Sequence, residues 1–280
     1  LTPLERALRD SLSPPKCRDV VLYAFSRRTV YADGTIKVDH PLPIAAIGSV
    51  LKETEHFSKL LTSGFTETNT DSPTTAIRQF AFDSEYDYET DSDLDEFDVP
   101  GFPPESEASS SLKGKGKASD DGRVSADLSS NRHQILIPNI AHRTLKACIF
   151  YLYTGKIKFL PLISEGGGER AFAMMTSLDG PPACSPKSMY RLADTFGIND
   201  LRDSAYREII SRLNIENIVT EAFSSFFARY DRLREHAVSY LSRHYSKPSV
   251  QGALPAVIEK TVLGELPHAS GVLLSLLGLR

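Results

Sequence analysis

Phe150-Tyr151-Leu152-Tyr153-Thr154-Gly155-Lys156 is the stretch on which the reading of this chain turns. It closes an apolar pattern at helical spacing (Leu145, Ile149, Leu152) and runs straight into the strand-like Lys156-Ile157-Lys158-Phe159. A chain that reverses this abruptly after a helix needs a residue at positive φ. Gly155 suits that position, because it has no Cβ to clash there. The pattern predicts a helix over 143–153 that ends at this glycine.

Working outward, Gln134-Ile135-Leu136-Ile137 reads as a strand leading into that helix. Farther upstream, Asp19 to Phe25 is a β-branched and aromatic strand. Asp33-Gly34 is a turn signal between Val30-Tyr31 and Ile36-Lys37-Val38, consistent with a hairpin or tight loop. Pro41 and Pro43 place the following segment at a sheet edge or bend. Ser49 to Leu61 reads as one helix, with Val50, Phe57, Leu60 and Leu61 inward. At the start of the chain, Thr2-Pro3 caps a short helix whose Leu4, Leu8 and Leu12 form one narrow stripe. Such a helix is marginal alone and must pack on something.

Downstream, Leu160 to Cys184 reads as a loop-rich insertion containing Gly166-Gly167-Gly168 and Pro181-Pro182. Ser185-Pro186-Lys187 starts a helix carrying Met189, Leu192, Ala193 and Phe196, which Gly197 breaks. Helices are then expected over 201–213, 215–229, 232–245 and 254–263. The apolar tail Gly271 to Arg280 is expected either to pack as a last helix or to belong to a domain that continues.

Charge is unevenly spread. The chain has 280 residues and a formal net charge of −4, yet nine of its 36 acidic residues lie in Asp83 to Asp98, which holds no Lys or Arg. The remaining 27 acids face 32 bases, so the rest is mildly basic, with no banded positive surface that calls for direct nucleic-acid binding. The whole of Thr66 to Arg132 is rich in Ser, Thr, Asp, Glu, Gly and Pro. A segment so poor in apolar residues is expected to be a disordered insertion. Within it, Ser84, Thr90 and Ser92 each have an acid three residues on (Asp87, Asp93, Asp95). Acid-directed phosphorylation and an inert solvated spacer are both open readings.

Motif tests return little chemistry. Gly166-Gly167-Gly168-Glu169-Arg170 lacks the spacing of a phosphate-binding loop and is read as a flexible loop. Lys113-Gly114-Lys115-Gly116-Lys117 is read as solvated linker. The seven histidines stand at no metal-ligand spacing, and no G-x-S-x-G is present, so neither catalytic residues nor a metal or other cofactor are expected. Cys17, Cys148 and Cys184 are too few and too far apart for a disulfide framework, which suits an intracellular location in cytoplasm or nucleus. No apolar run reaches the roughly 20 residues of a membrane span.

The order helix, strand, strand, helix, strand, helix, then helical tail resembles a BTB/POZ domain followed by BACK-like helices, as in fungal proteins and MATH-BTB-type adaptors. Lys16-Cys17-Arg18-Asp19-Val20-Val21 resembles the family's opening strand. Val50 to Leu61 resembles its "V-L-x-x-x-S-x-x-F" helix, with Thr54 in place of Ser. Leu145 to Lys156 resembles its "Y-T-G" corner, and Leu192-Ala193-Asp194-Thr195-Phe196-Gly197-Ile198 with Leu201 its "L-A-D" helix pair. The resemblance implies an α+β BTB/POZ fold: a small mixed sheet capped by helices, with a C-terminal all-α extension and a long disordered insertion. It divides the chain into 1–66 and 133–213 (with 160–184 a loop insertion) as the two parts of that domain, 67–132 as the insertion, and 214–280 as the BACK-like region. It further implies a non-enzymatic, homodimerising adaptor that recruits a bound protein to a cullin-type ubiquitin ligase. The dimer surface maps to Leu4, Leu8 and Leu12. The cullin contact maps to Phe65-Thr66-Glu67, with Phe65 as apolar anchor and Glu67 as polar rim, and to Asn139, where adaptors often carry Asp. A scaffold or nuclear regulator that recruits partners through the acidic insertion is the alternative.

Overall fold

The computed structural model describes residues 4, 20–30, 36–62, 91–98, 133–175 and 180–276. The protein is a mixed α+β molecule that divides into two compact units, Leu1–Gly155 and Lys156–Arg280. The helices after Gly155 therefore belong with the second unit, so the division does not coincide with the boundary expected at 213/214.

In the first unit, β1 (Val20–Val30) and β2 (Ile36–Ala46) form the expected antiparallel hairpin, with Val30 opposite Ile36. Both strands are longer than the sequence pattern indicated. β2 continues through Pro41 and Pro43, which it tolerates as an edge strand paired only with β1 among the described residues. At His40 the backbone turns to φ 58°, and the Ser26 hydroxyl donates to the His40 carbonyl at 2.8 Å, which stabilises the irregularity.

β4 (His133–Ala141) joins the far side of β1 in parallel, with Val20 opposite His133 and Leu22 opposite Ile135. Segments separated by the whole acidic insertion thus meet in one sheet. The driving force is apolar: Leu22 and Ile135 are 0% and 1% exposed. The ladder is irregular between Tyr23–Leu136 and Phe25–Ala141. Pro138 lies in this interval and has no N–H to give a ladder.

The stretch expected to be one helix over 49–61 is two, α1 (Gly48–Leu51) and α2 (Glu55–Thr62). The Thr54 hydroxyl donates to the Leu51 carbonyl at 2.9 Å in the turn that separates them. This break lets Val50, Leu51 and Phe57 all be buried, whereas Leu60 and Leu61 are only half-buried. The helix α3 (His142–Thr154) follows β4 directly and buries Leu145, Cys148 and Ile149. Gly155 caps it at φ 68°, its N–H donating to the Tyr151 carbonyl at 2.7 Å. Tyr153 of the same corner reaches back across the chain, where its hydroxyl accepts the Ile47 N–H at 2.7 Å and its ring packs on Ile47 and Val50.

The second unit is mainly helical. The described residues of the segment expected as loop, 160–175 and 180–184, are structured. The segment is bracketed by a two-strand parallel ladder, β5 (Lys158–Phe159) with β6 (Ala183–Cys184). It contains a 3-10 turn (Ile163–Glu165) and a helix, α4 (Gly167–Met175), so the triple glycine lies at a helix start. Leu160 and Leu162 are buried, and that apolar burial is what a free loop would lack. Next come α5 (Pro186–Thr195), capped by Ser185, and α6 (Asn199–Ser211), with Gly197 at φ 67° between them. The helix expected over 215–229 is split into α7 (Ile218–Ala222) and α8 (Ser225–Arg229), because Ser224 caps a new helix by accepting the Phe227 N–H. The helix α9 is Asp231–Arg243, and α10 (Pro248–Val262) begins earlier than expected, with Pro248 at its first turn. The tail forms α11 (Ser270–Leu276), which buries Val272.

Candidate functional site: an acidic strand on the sheet edge

The feature that composition hid lies inside the acidic run. Asp95–Asp98 forms a strand, β3, parallel to β1, with Arg27 opposite Asp95 and Arg28 opposite Glu96. It occupies the same edge of β1 as β4 but farther along, where β4 has left the sheet for α3. Residues 91–98 are thus part of the fold, although they lie in the 67–132 segment, most of which is expected to be disordered.

The turn before β3 explains how an acidic segment can be buried. Asp91 and Asp93 are 3% and 2% exposed. The Asp93 N–H donates to Asp91 Oδ1 at 3.0 Å, a local bond typical of Asp in turns. Thr144 Oγ1, in the first turn of α3, donates to Asp93 Oδ2 at 2.7 Å. Arg143 Nη2 pairs with Asp95 Oδ1 at 3.2 Å. Two acids therefore meet the N-terminal turn of α3, the end of a helix that favours negative charge. Leu94, the single aliphatic residue between Asp83 and Asp98, is buried with Phe25, Val38, Leu136 and Ala141, and Tyr23 packs on them. That lone leucine, three residues before Phe97, is the sequence signal that marks this part of the insertion as different.

His142, at the start of α3, is held below the ordinary histidine range, chiefly by burial and then by Lys146. A bond to the Pro43 backbone, and the charge of Asp95, act in the opposite direction.

Of the residues singled out from the sequence, Phe65, Glu67, Leu8 and Leu12 (by resemblance) and Ser84 and Thr90 (by acid spacing) lie outside the described residues. Leu4 is 42% exposed. Asn139 is half-buried in the irregular part of β4. Ser92 is half-buried in the turn between Asp91 and Asp93. Ser92 thus sits one residue before Asp93, which Thr144 of α3 holds, while Asn139 stands on β4.

The second unit holds a different polar cluster. Glu221, on α7, is 2% exposed. It pairs with Lys187 and accepts from Ser164 Oγ at 2.6 Å. Lys187 Nζ also lies 5.7 Å from the ring centroids of both Phe226 and Phe227. Arg212 bridges Glu165 at 3.2 Å and Glu208 at 2.7 Å. Arg170 donates to the Pro161 carbonyl at 2.8 Å. The Ser164–Glu221 and Glu165–Arg212 bonds tie the 3-10 turn to α7 and to the C-terminal end of α6, while the Arg170 bond closes the turn on its own helix. Burial raises both Tyr190 and Tyr230, whose rings meet edge to face at 4.9 Å.

Cys148 is fully buried and burial pushes its thiol up to about 12, the reverse of an activated nucleophile. Among the described residues no group of three or more His, Cys, Asp or Glu could hold a metal ion. No helix among them is long and apolar enough to cross a membrane. Comparison of the chain with protein-family models and with curated proteins finds no match.

Proposed function

We propose that this chain is a non-enzymatic protein–protein interaction module, a BTB/POZ-type adaptor that pairs with a second copy of itself and brings a bound protein to a cullin-type ubiquitin ligase. The observation that supports this reading is the parallel pairing of β4 with β1. It brings two separated stretches that carry the resemblance into one sheet. The Tyr153–Ile47 bond is a second tie between them. In this reading Leu4, Leu8 and Leu12 supply the dimer surface, and Phe65, Glu67 and Asn139 the cullin contact.

The test is capture of purified cullin by the full chain, with the mass of the free chain measured by light scattering. The adaptor reading expects a dimer, and cullin binding that is lost in Phe65→Ala with Glu67→Ala. Equal binding by the double variant overturns the site, and no binding by the unaltered chain overturns the adaptor role.

A second reading is a scaffold or nuclear regulator without a ligase role that recruits partners through the acidic insertion. It is favoured by one observation: part of that insertion is built into the sheet. Deleting 99–132, which spares β3, would then abolish partner capture while cullin binding stays negative.

A further inference from the structure

We propose that the Arg27–Val30 edge of β1 is a strand-addition site for acidic extended peptides, that Asp95–Asp98 of the same chain is its resident occupant, and that phosphorylation of Ser92 releases that occupant. The proposal does not rest on the adaptor reading; either outcome of the cullin experiment leaves it standing.

Geometry comes first. β4 pairs with β1 only from Val20 to Phe25, and β3 takes the remaining edge with four residues. An edge filled by so short a strand is the arrangement in which another strand can substitute, with backbone bonds supplying affinity and alternate side chains supplying choice. The choice here is by charge. Arg27 and Arg28 stand in register with Asp95 and Glu96, and Arg143 binds Asp95 at 3.2 Å. A basic edge of this kind selects an acidic strand.

The latch is the turn that precedes β3. Its two buried carboxylates, Asp91 and Asp93, are held by the Asp93 N–H and the Thr144 hydroxyl, and Leu94 is its apolar anchor. Ser92 lies between them and has acids one and three residues on (Asp93, Asp95), the pattern an acid-directed kinase reads. In the transfer, Ser92 Oγ forms a bond to the γ-phosphorus of ATP as the bond to the ADP oxygen breaks, and the hydroxyl proton passes to the kinase base. Kinases bind extended substrates, so the undocked state is the one modified. A phosphate of about −2 charge returning between Asp91 and Asp93 adds like-charge repulsion and a desolvation cost that the Ser92 hydroxyl does not carry. The docked population falls and the edge is opened.

The experiment uses the full chain carrying Ser84→Ala and Thr90→Ala, unphosphorylated or treated with an acid-directed kinase and ATP, with Ser92 modification verified by mass spectrometry. Two readouts are taken: hydrogen exchange of the amides of Arg27–Val30, and anisotropy of a fluorescein-labelled peptide Asp-Leu-Asp-Glu-Phe-Asp. Phosphorylation is expected to cut protection at the amides facing β3 by about tenfold or more, and to tighten peptide binding by a similar factor. Added peptide should restore the protection, and a version with Lys for each acid should not. A Leu94→Asp variant removes the anchor without needing the kinase and should behave as the phosphorylated chain does. Unchanged protection after phosphorylation overturns the switch. Failure of the Leu94→Asp chain to bind the acidic peptide, or equal binding of the Lys peptide, overturns the docking site.

Discussion

Replacing Lys187 by Met tests how the second unit holds together. Lys187 Nζ stands 5.7 Å from the Phe226 and Phe227 ring centroids, and Met preserves most of the side-chain volume while removing the charge. The partner left behind is Glu221, whose side chain is only 3% exposed and retains one described donor, Ser164. Removing one member of a buried pair typically costs about 3–5 kcal/mol, because the other is stranded as an uncompensated charge. Lys187 is itself 25% exposed, so water replaces part of what it gave, and a loss below that range, about 2–3 kcal/mol, is expected. With a urea slope of about 1–3 kcal/mol/M, the midpoint should fall by roughly 1 M or more. Glu221→Leu added to Lys187→Met removes the stranded charge and should recover most of the loss, a coupling of about 2 kcal/mol. Circular dichroism during urea unfolding measures both. The pair is buried, so the effect should change little with added salt. A Lys187→Met midpoint equal to that of the unaltered chain would refute the reasoning, as would a double variant less stable than Lys187→Met alone.

Three further outcomes are expected. Gly155→Ala meets no atom within 4 Å, so its cost is the left-handed backbone alone, a net loss of about 1 kcal/mol in thermal or urea unfolding. Cys148, with its thiol pushed up to about 12 and no exposure, should resist iodoacetamide at mildly alkaline pH and react only after denaturation, as peptide mass spectrometry would report. His56, His142 and His236 are each held below the ordinary 6.5, chiefly by burial, so the unfolded chain binds protons that the folded one refuses. Their contribution is complete above pH 6.5 and is lost as the pH falls from there through their lower folded values, which urea midpoints taken across that interval should show.

Much of the first unit was legible because its signals are local. The Leu145–Ile149 spacing and the terminal Gly155 each report a backbone preference that neighbours do not overturn, while the Asp33-Gly34 turn signal lies outside the described residues. The misreadings share a cause. Composition marked 67–132 as unable to fold by itself, yet Asp91–Asp98 is ordered by Thr144, Arg143 and an apolar pocket that belong to other elements. The same holds for 160–184, whose glycines and prolines read as loop until Glu221 and Arg212 supply the missing partners. The continuous helix expected over 49–61 obeyed periodicity but not packing, since a break at 52–54 is what buries both Leu51 and Phe57.

From its sequence alone this protein had the order of β1, β2, β4 and α3, the apolar character of those strands and its helix boundaries near Gly155 and Gly197, because φ preference and side-chain period are properties of a few adjacent residues. Only the tertiary structure decided that Ile135 lies beside Leu22, that Tyr153 bonds to Ile47, and that an acidic turn is buried against α3. Those contacts join residues far apart in the chain, and their free energy comes from surfaces and charges that meet only when the sheet has closed.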